Sequence, residues 1–401
     1  MKKSIVIILG SMKYLLDYAR LLNDYKSDFK LLVCDLDQDP KVSLPENAIY
    51  LPVSLTNPFE QIVDYCQKNH YLVKGVINRK DYFEILHAQL SEKYQVIGPI
   101  VSAVETLSDK TKLHRLMDKI GLAEFRPKAV VTSLIEVEKH LDQFNFPIVV
   151  KARFGAKSRG VYTINVSSDF QAVKKEFIEK TGNNETEDIL VEEFIFGDQL
   201  SPISYVSNDG KLKSLGFVDI VTAREMGQKN LQLVFRSLPS KHSKTVLEKI
   251  DEILQMIIDA TGLKSVALHP EFFVVGEKVY LIEINVRLGG FRRSLLKSAY
   301  GIDMNKVGFE LAMGLTISDQ KQTNNSSTVG EIWSDHSGVV NELKIPNSPY
   351  LSNVIYTKQV GDKYIAPPRE QIPLAIFFVK ASQDSLKIAK ELRENTLLEI
   401  V

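Results

Sequence analysis

The residue types best suited to chemistry lie in one short segment near the C-terminal third of the chain. Residues 282–287 alternate apolar and polar side chains, which is typical of a strand whose side chains point alternately to its two faces. Glu283, Asn285 and Arg287 are therefore predicted to share one face. The apolar residues Ile282, Ile284 and Val286 are predicted to share the other.

A second carboxylate is predicted to face this strand. If Gly276-Glu277-Lys278 forms the turn of a hairpin, Glu271 falls opposite Glu283, with Cβ atoms about 4.5–5.5 Å apart. Two carboxylates at that distance repel by about 3 kcal/mol at an effective dielectric near 20, so a cation is expected between them. With the Asn285 amide oxygen they form a hard ligand set for Mg²⁺ or Mn²⁺. The alternative is a polar sheet face with solvated charges.

Two further segments carry weaker signals. Lys151 ends an apolar strand, and the loop 153–160 that follows carries glycines and basic side chains, which can fold over phosphates through backbone N–H groups. A plain hairpin turn explains this loop as well, and the Gly-x-x-x-x-Gly-Lys-Ser/Thr motif is absent. Segment 192–195 could meet an adenine edge, although its residues alone favour an edge strand with solvated glutamates.

These segments need elements to position them. Apolar runs at 5–9, 31–33 and 73–77 alternate with helical stretches at 15–22 and 59–67, which predicts an open, mostly parallel α/β sheet. A helix is predicted to begin at Ser108-Asp109. An amphipathic helix at 244–260 precedes the hairpin of strands 266–275 and 279–286, and a last helix is predicted at 383–392.

Composition excludes several classes of protein. The 50 Lys and Arg residues equal the 50 Asp and Glu residues, which argues against nucleic acid or an anionic membrane as partner. Two cysteines cannot make a disulfide framework and are typical of a reduced, cytoplasmic protein. The apolar run after Lys3 is too short for a signal peptide, and no later run predicts a membrane span.

In their order along the chain, these pieces resemble the ATP-grasp superfamily. The matching positions are Asp109-Lys110, the strand 146–152, Ser158-Arg159-Gly160-Val161, the segment 192–197, Glu271 and the segment 283–287. The Arg287-Leu288-Gly289-Gly290 motif, Tyr300-Gly301-Ile302-Asp303, the tail segment 361–368 and His269-Pro270-Glu271 look most like L-amino-acid ligases.

The resemblance implies roles for these positions. Lys110 and Lys151 would contact the phosphates of ATP, with Ser158 and Gly160 in the phosphate loop. Glu192, Glu193, Phe194 and Ile195 would form the adenine site, with the Phe194 backbone at the base edge. Glu271, Glu283 and Asn285 would hold the metal ion, and Arg287 would stabilise the transferring phosphoryl group. Arg292, Arg293 and His269 are candidates for substrate binding, and at least one of the two arginines is expected at the surface.

The implied fold is an ATP-grasp fold in three parts. Residues 1–103 would form an N-terminal open parallel α/β domain, residues 104–195 a linker helix and small subdomain, and residues 196–401 a large α+β subdomain with a C-terminal extension. The implied activity is ATP-dependent joining of a carboxylate and an amine through an acyl phosphate. A homodimer is the family-level expectation.

Two departures and two alternatives remain. Gln199 stands where the family commonly has glutamate, which weakens a ribose contact there, and the phosphate loop has fewer glycines than in biotin carboxylases. The protein could instead activate bicarbonate or another small acid, or bind ATP without catalysis.

Overall fold

The fold is taken from a computed structural model, which describes residues 3–10, 15–25, 28–38, 40, 43–155, 160–182, 184–227, 232–367 and 369–401. Four sheets make up the framework of the described chain. The mixed α/β class with an N-terminal parallel sheet and antiparallel sheets after it confirms the predicted fold class.

The N-terminal sheet has the strand order β3-β2-β1-β4, with every pair parallel. Apolar residues lie on both faces of it, because helices cover both sides. One face packs against α2 (Pro58–Lys68) and α3 (Glu84–Tyr94), and the other packs against α1 (Leu15–Asp24) and α9 (Met304–Met313). Its elements are β1 (Lys3–Leu9), α1 (Leu15–Asp24), β2 (Lys30–Asp35), β3 (Ala48–Pro52), α2 (Pro58–Lys68), β4 (Tyr71–Asn78) and α3 (Glu84–Tyr94).

Two linker helices, α4 (Val101–Ser108) and α5 (Lys110–Lys119), lead to a small antiparallel sheet. As predicted, Asp109 caps α5, since its side chain accepts hydrogen bonds from the backbone of Thr111 and Lys112. The small sheet has the order β5-β8-β6-β7, and α6 packs on it. Its elements are β5 (Ala129–Ser133), β6 (Ile148–Ala152), β7 (Val161–Ile164), α6 (Phe170–Thr181) and β8 (Asp188–Glu193).

The large sheet is antiparallel, with the order β13-β12-β9-β10-β11-β14-β18-β16. Helix α7 packs on one face together with α4 and α5, and α8 and α9 pack on the other. The elements of this region are β9 (Asp198–Val206), β10 (Leu212–Thr222), β11 (Leu233–Leu238), α7 (Lys244–Thr261), β12 (Val266–Val275), β13 (Lys278–Asn285), α8 (Arg292–Tyr300), α9 (Met304–Met313), β14 (Ser326–Ile332), β16 (Leu351–Tyr356), β18 (Ala375–Ala381) and α10 (Ser385–Glu394).

A three-stranded sheet completes the C-terminal part of the chain, in the order β17-β15-β19. It consists of β15 (Gly338–Lys344), β17 (Lys363–Tyr364) and β19 (Leu397–Ile400). Among the described residues, no helix has the length and apolar character that crossing a membrane requires. The three domain boundaries given above remain predictions.

Candidate functional site

The hairpin of β12 and β13 places Glu271 directly opposite Glu283, as the alternation predicted. The turn itself is shorter than expected, because Val275 pairs with Lys278 and only Gly276 and Glu277 lie between them. A one-residue shift between Glu271 and Phe272 restores the expected pairing. The extra residue of this β-bulge is Ile282 on β13.

The bulge changes which side chains reach the core. Leu281, at 1% exposure, is in the core in place of Ile282, which is only partly buried. Beyond the bulge the phase shifts by one residue, so that Ile284 and Val286 enter the same core. The prediction that Ile282 shares their face was therefore wrong, since the bulge puts two consecutive residues outside the core.

The two facing carboxylates have unlike surroundings. Glu271 accepts a hydrogen bond from Gln199 Nε2 at 2.8 Å, and its pKa is raised by burial and by the charge of Glu283. Burial disfavours the charge of Glu283, but Lys110, whose Nζ lies 3.2 Å from Oε2, the hydrogen bond from Asn285 and the charge of Lys151 together outweigh it and lower the pKa. Glu283 is thus the carboxylate held in its charged form.

The carboxylates of Glu271 and Glu283 fit a divalent cation that takes most of its ligands from substrate phosphates. Within the described residues no group of three or more His, Cys, Asp or Glu side chains converges as metal ligands. Mg²⁺ is commonly bound by one or two carboxylates together with substrate phosphates, which is what Glu271 and Glu283 offer. Asn285 turns its amide nitrogen towards Glu283 at 3.0 Å and its oxygen towards Arg287 at 3.3 Å. Its amide must therefore rotate for the oxygen to join the predicted set.

Lys110 is fixed at the first turn of α5 by contacts with Arg153 and Gly155, which begin the predicted phosphate loop. The Asp109 carboxylate that caps the helix accepts from Arg153 Nη2 at 2.5 Å, and the Lys110 N–H donates to the Arg153 carbonyl at 3.1 Å. The Lys110 ammonium also donates to the Gly155 carbonyl at 3.4 Å. The end of β6 and the β12–β13 hairpin therefore meet at this one lysine.

Lys151 lies in a buried ion pair with Glu192. Glu192 Oε2 lies 3.8 Å from His114 Nε2, and burial lowers the His114 pKa to about 3, so the imidazole is neutral at physiological pH. Lys151 and Glu192, both predicted to contact ATP, are thus paired with each other. Gly160 directly precedes β7, with φ +70°, and a Cβ there would lie 2.9 Å from Ala152 Cβ. Ser158 lies outside the described residues.

The backbone N–H groups of residues 193–195, at the end of β8 and just after it, differ in whether they are already hydrogen-bonded. The Glu193 and Phe194 N–H groups already donate, to the Lys128 and Pro147 carbonyls. The Ile195 N–H has no hydrogen-bond partner within the described part of the chain. The donor that this segment can present to a base edge is therefore at Ile195, whereas Phe194 can contribute only its carbonyl. The Glu193 side chain accepts from Asn145.

Arg287 has a buried partner that the sequence did not reveal. Its Nε lies 3.4 Å from Glu84 Oε1 on α3. Its Nη2 lies 3.9 Å from Asp81 Oδ2. Glu84 Oε2 accepts from Ser108 Oγ at 2.8 Å, next to the helix that carries Lys110. Burial raises the pKa of Glu84 to about 7, although Arg287 opposes the shift. The N-terminal domain thus holds the predicted catalytic arginine.

The three residues predicted to bind substrate, Arg292, Arg293 and His269, differ in whether they have hydrogen-bond partners. Arg293 donates to Asp17 on α1 at 2.7 Å, and neither arginine is exposed, so the expectation of a surface arginine was wrong. Arg292 is 3% exposed, and its Nε and Nη2 atoms are buried without hydrogen-bond partners among the described residues. Both ring nitrogens of His269 are also buried without such partners, and burial with nearby arginines lowers its pKa well below the usual value.

Buried polar atoms without partners are rare, because each costs about 1–3 kcal/mol. Arg292 and His269 lie together beside Glu271, since His269 Nε2 is 3.3 Å from Glu271 Oε1. The unpaired donors of Arg292 suit a carboxylate or phosphate ligand. The site thus combines a carboxylate pair for a cation with a neighbouring arginine for an anion.

Comparisons with known proteins give one domain match and several similar folds. Residues 144–294 match the model of the ATP-grasp domain. The fold is similar to that of an L-amino acid ligase from Bacillus licheniformis, with a TM-score of 0.80, 16% identity, and coverage of 100% of this chain and 99% of that one. It is also similar to a biotin carboxylase domain from Hydrogenobacter thermophilus, solved as a dimer with MgADP and bicarbonate, with a TM-score of 0.71, 16% identity, and coverage of 100% and 91%.

Among curated proteins, the carbamoyl phosphate synthase large chain of Sulfurisphaera tokodaii is 20% identical over 260 residues, or 63% of this chain. The match covers 23% of that relative. The chain therefore spans about a quarter of the length of such relatives.

The glycine pair after Arg287 gives a matched test of the site's packing. A Cβ on Gly289 would lie 2.8 Å from His269 Cγ and 3.0 Å from Arg292 Cγ, whereas a Cβ on Gly290 meets nothing within 4 Å. We expect Gly289→Ala to lower the free energy of unfolding by about 1–3 kcal/mol through overpacking. Gly290→Ala should change it by less than about 0.5 kcal/mol. Urea denaturation measures both, and equal effects would contradict the packing described here.

Glu84 predicts a pH dependence of stability. Its pKa is about 7 in the folded protein, above the usual 4.5, so the folded state binds more protons than the unfolded state between these values. Stability should therefore fall as pH rises through this window. Relative to Glu84→Gln, the wild-type protein should lose about 3 kcal/mol between pH 4 and pH 8. Urea midpoints of both proteins at the two pH values give the difference, and an unchanged difference would rule out the shift.

Proposed function

We propose that this chain, of which residues 144–294 match the ATP-grasp domain, is an ATP-dependent carboxylate–amine ligase that forms an amide or peptide bond through an acyl phosphate. The observation that carries the proposal is the facing pair of Glu271 and Glu283, with Lys110 at 3.2 Å from one and the unpaired Arg292 beside the other. A cation site and an anion site side by side are what phosphoryl transfer to a carboxylate requires.

The reaction has two steps. A carboxylate oxygen of the acid attacks the γ-phosphorus of ATP, and the bond from that phosphorus to the bridging oxygen breaks to release ADP. The amine nitrogen then attacks the acyl carbon, the carbon–oxygen bond to phosphate breaks, and the nitrogen loses a proton. The products are an amide, ADP and phosphate.

The residues of the chain contribute mainly positioning and charge. Glu271 and Glu283, with Asn285 after rotation of its amide, would hold Mg²⁺, which when bound neutralises phosphate charge. Lys110 and Lys151 would neutralise the phosphates from the other side. Arg287, oriented by Glu84, would stabilise the transferring phosphoryl group.

The remaining assignments follow the free donors. Arg292 would bind the carboxylate of the acid through Nε and Nη2, because these atoms have no partner in the described chain. Ile195 would give its N–H to the base edge, and Phe194, with Arg224 at 5.2 Å over its ring, would line the base.

We extend the proposal to a homodimer, which sedimentation velocity tests.

A second candidate is activation of bicarbonate or another small acid. It is favoured by the similarity to the Hydrogenobacter domain, which was solved with bicarbonate. Phosphate release with bicarbonate and without any amine would support it. A non-catalytic ATP-binding module would show stabilisation by ATP without phosphate release.

The metal assignment has a matched pair of variants. Glu283→Gln should reduce ATP-dependent phosphate release by about 10²-fold or more, because it removes the charged ligand. It should also abolish the Mg²⁺-dependent part of the thermal stabilisation by ATP, which arises because the ligand binds only the folded state. Glu277→Gln, in the turn of the same hairpin, is the control and should behave as wild type.

Two results would contradict this assignment. One is full phosphate release by Glu283→Gln. The other is the same Mg²⁺-dependent shift in Glu283→Gln as in wild type. For the reaction itself, phosphate release is measured with the twenty protein amino acids tested in pairs, and no stimulation by any pair would refute the amino-acid form of the ligase proposal.

A further inference from the structure

A buried histidine on α5 faces the ion pair of Lys151 and Glu192 and has no role in the ligase mechanism proposed above. All three side chains are buried. His114 Nε2 lies 3.8 Å from Glu192 Oε2, whereas Lys151 Nζ pairs with the other carboxylate oxygen, Oε1. The Glu192 carboxylate therefore lies between a cation and a group that becomes a cation when it binds a proton.

The small sheet and α5 bring these three side chains together. Lys151 on β6 pairs in register with Leu190 on β8, so Glu192, two residues further along β8, projects from the same face as Lys151. The other face of the small sheet packs against α6. His114 reaches Glu192 from α5, which contacts β8. The three side chains thus meet between α5 and the small sheet.

One oxygen of Glu192 and one nitrogen of His114 are left without hydrogen bonds. Glu192 Oε2 and His114 Nδ1 are both buried and have no partner among the described residues. Such atoms are rare in proteins, because most buried polar atoms are hydrogen-bonded. Since no hydrogen bond holds Nδ1, the ring can move by about 1 Å, which brings Nε2 within hydrogen-bond distance of Oε2.

The charges around His114 determine whether it carries a proton. Burial, Arg126 and Lys151 lower its pKa to about 3, so the ring is neutral while Lys151 neutralises Glu192. Arg126 is itself paired with Asp118, one turn further along α5, through a hydrogen bond of 2.9 Å from Nε to Oδ1. The charge that the proposed nucleotide would move is therefore that of Lys151.

We propose that His114 is a positioning residue for nucleotide binding: when Lys151 turns from Glu192 to the phosphates of ATP, His114 takes up a proton from solvent and pairs with Glu192 in its place. Withdrawing one partner from a buried ion pair leaves an uncompensated charge, which is strongly disfavoured. A protonated imidazole beside the carboxylate restores the balance of charge. The inference rests on the proposed function, because it requires Lys151 to contact ATP.

The first experiment measures proton uptake on nucleotide binding. A non-hydrolysable ATP analogue with Mg²⁺ is titrated into the full-length protein by calorimetry at about pH 6.5, in buffers of different ionisation enthalpy. The wild-type protein should take up at least about half a proton more per nucleotide than His114→Gln. His336→Gln, which replaces an exposed histidine in the C-terminal part of the chain, is the control and should match the wild type.

The same linkage predicts how affinity depends on pH. The complex binds more protons than the free protein, so the Kd of the wild-type protein should rise with pH, by up to about 10-fold per pH unit above the pKa of His114 in the complex. His114→Gln should lack this dependence. If His114→Gln does not fold, His114→Asn takes its place.

The second experiment locates the proton. With ¹⁵N-labelled histidine, the ring-nitrogen resonances distinguish a neutral from a charged imidazole, and the resonances missing from His114→Gln assign the residue. At about pH 6.5, His114 should be neutral in the free protein and charged in the complex. Lys151→Met should charge His114 in the free protein, because Glu192 has then lost its lysine. This variant tests the pairing without any nucleotide.

Three results would overturn the proposal. One is a His114 ring that stays neutral both in the complex and in Lys151→Met, which would exclude it as the replacement cation. The second is equal proton uptake by His114→Gln and the wild-type protein. The third is the same pH dependence of Kd in both. If the wild-type protein does not bind the analogue at all, the proposed function fails, and the coupling to ATP fails with it.

Discussion

The site depends on two carboxylates that the backbone forces to face each other. Glu271 and Glu283 are paired across β12 and β13, so neither can move away without breaking the ladder. Their repulsion is relieved on one side by Lys110 and on the other by Arg292. A framework that holds like charges together favours a cation between them, and the proposed Mg²⁺ site rests on this property.

Around this pair, each domain supplies a charge that the others need. The N-terminal domain contributes Glu84 to Arg287, the linker contributes Lys110 to Glu283, and α8 contributes Arg292 to Glu271. Arg293 ties α8 back to α1 through Asp17. The geometry of the site therefore depends on how the domains pack, and a fragment that lacks one of them would lack part of the site.

The sequence predicted what depends on local spacing. Alternation gave the face shared by Glu283 and Asn285, and the cap at Asp109 followed from residue type. The opposition of Glu271 and Glu283 was predicted correctly from a turn that is one residue too long, because the bulge at Ile282 compensates. Alternation cannot reveal a bulge, since the extra residue differs from its neighbours only in burial. The partners of Arg287 and Arg293 were not predictable, because Glu84 and Asp17 meet them only when distant parts of the chain pack together.

The bulge at Ile282 also matters for anyone who aligns or grafts this hairpin. In a regular register with the same turn and no bulge, Ile282 would oppose Glu271, and Glu283 would turn towards the apolar layer beneath α7. Deletion of one residue of β13 before Glu283 would remove the bulge and leave Glu283 opposite Glu271 in a regular hairpin. An alignment that counts residues from Gly276 alone would assign the wrong partner to Glu271 in any relative with a regular hairpin.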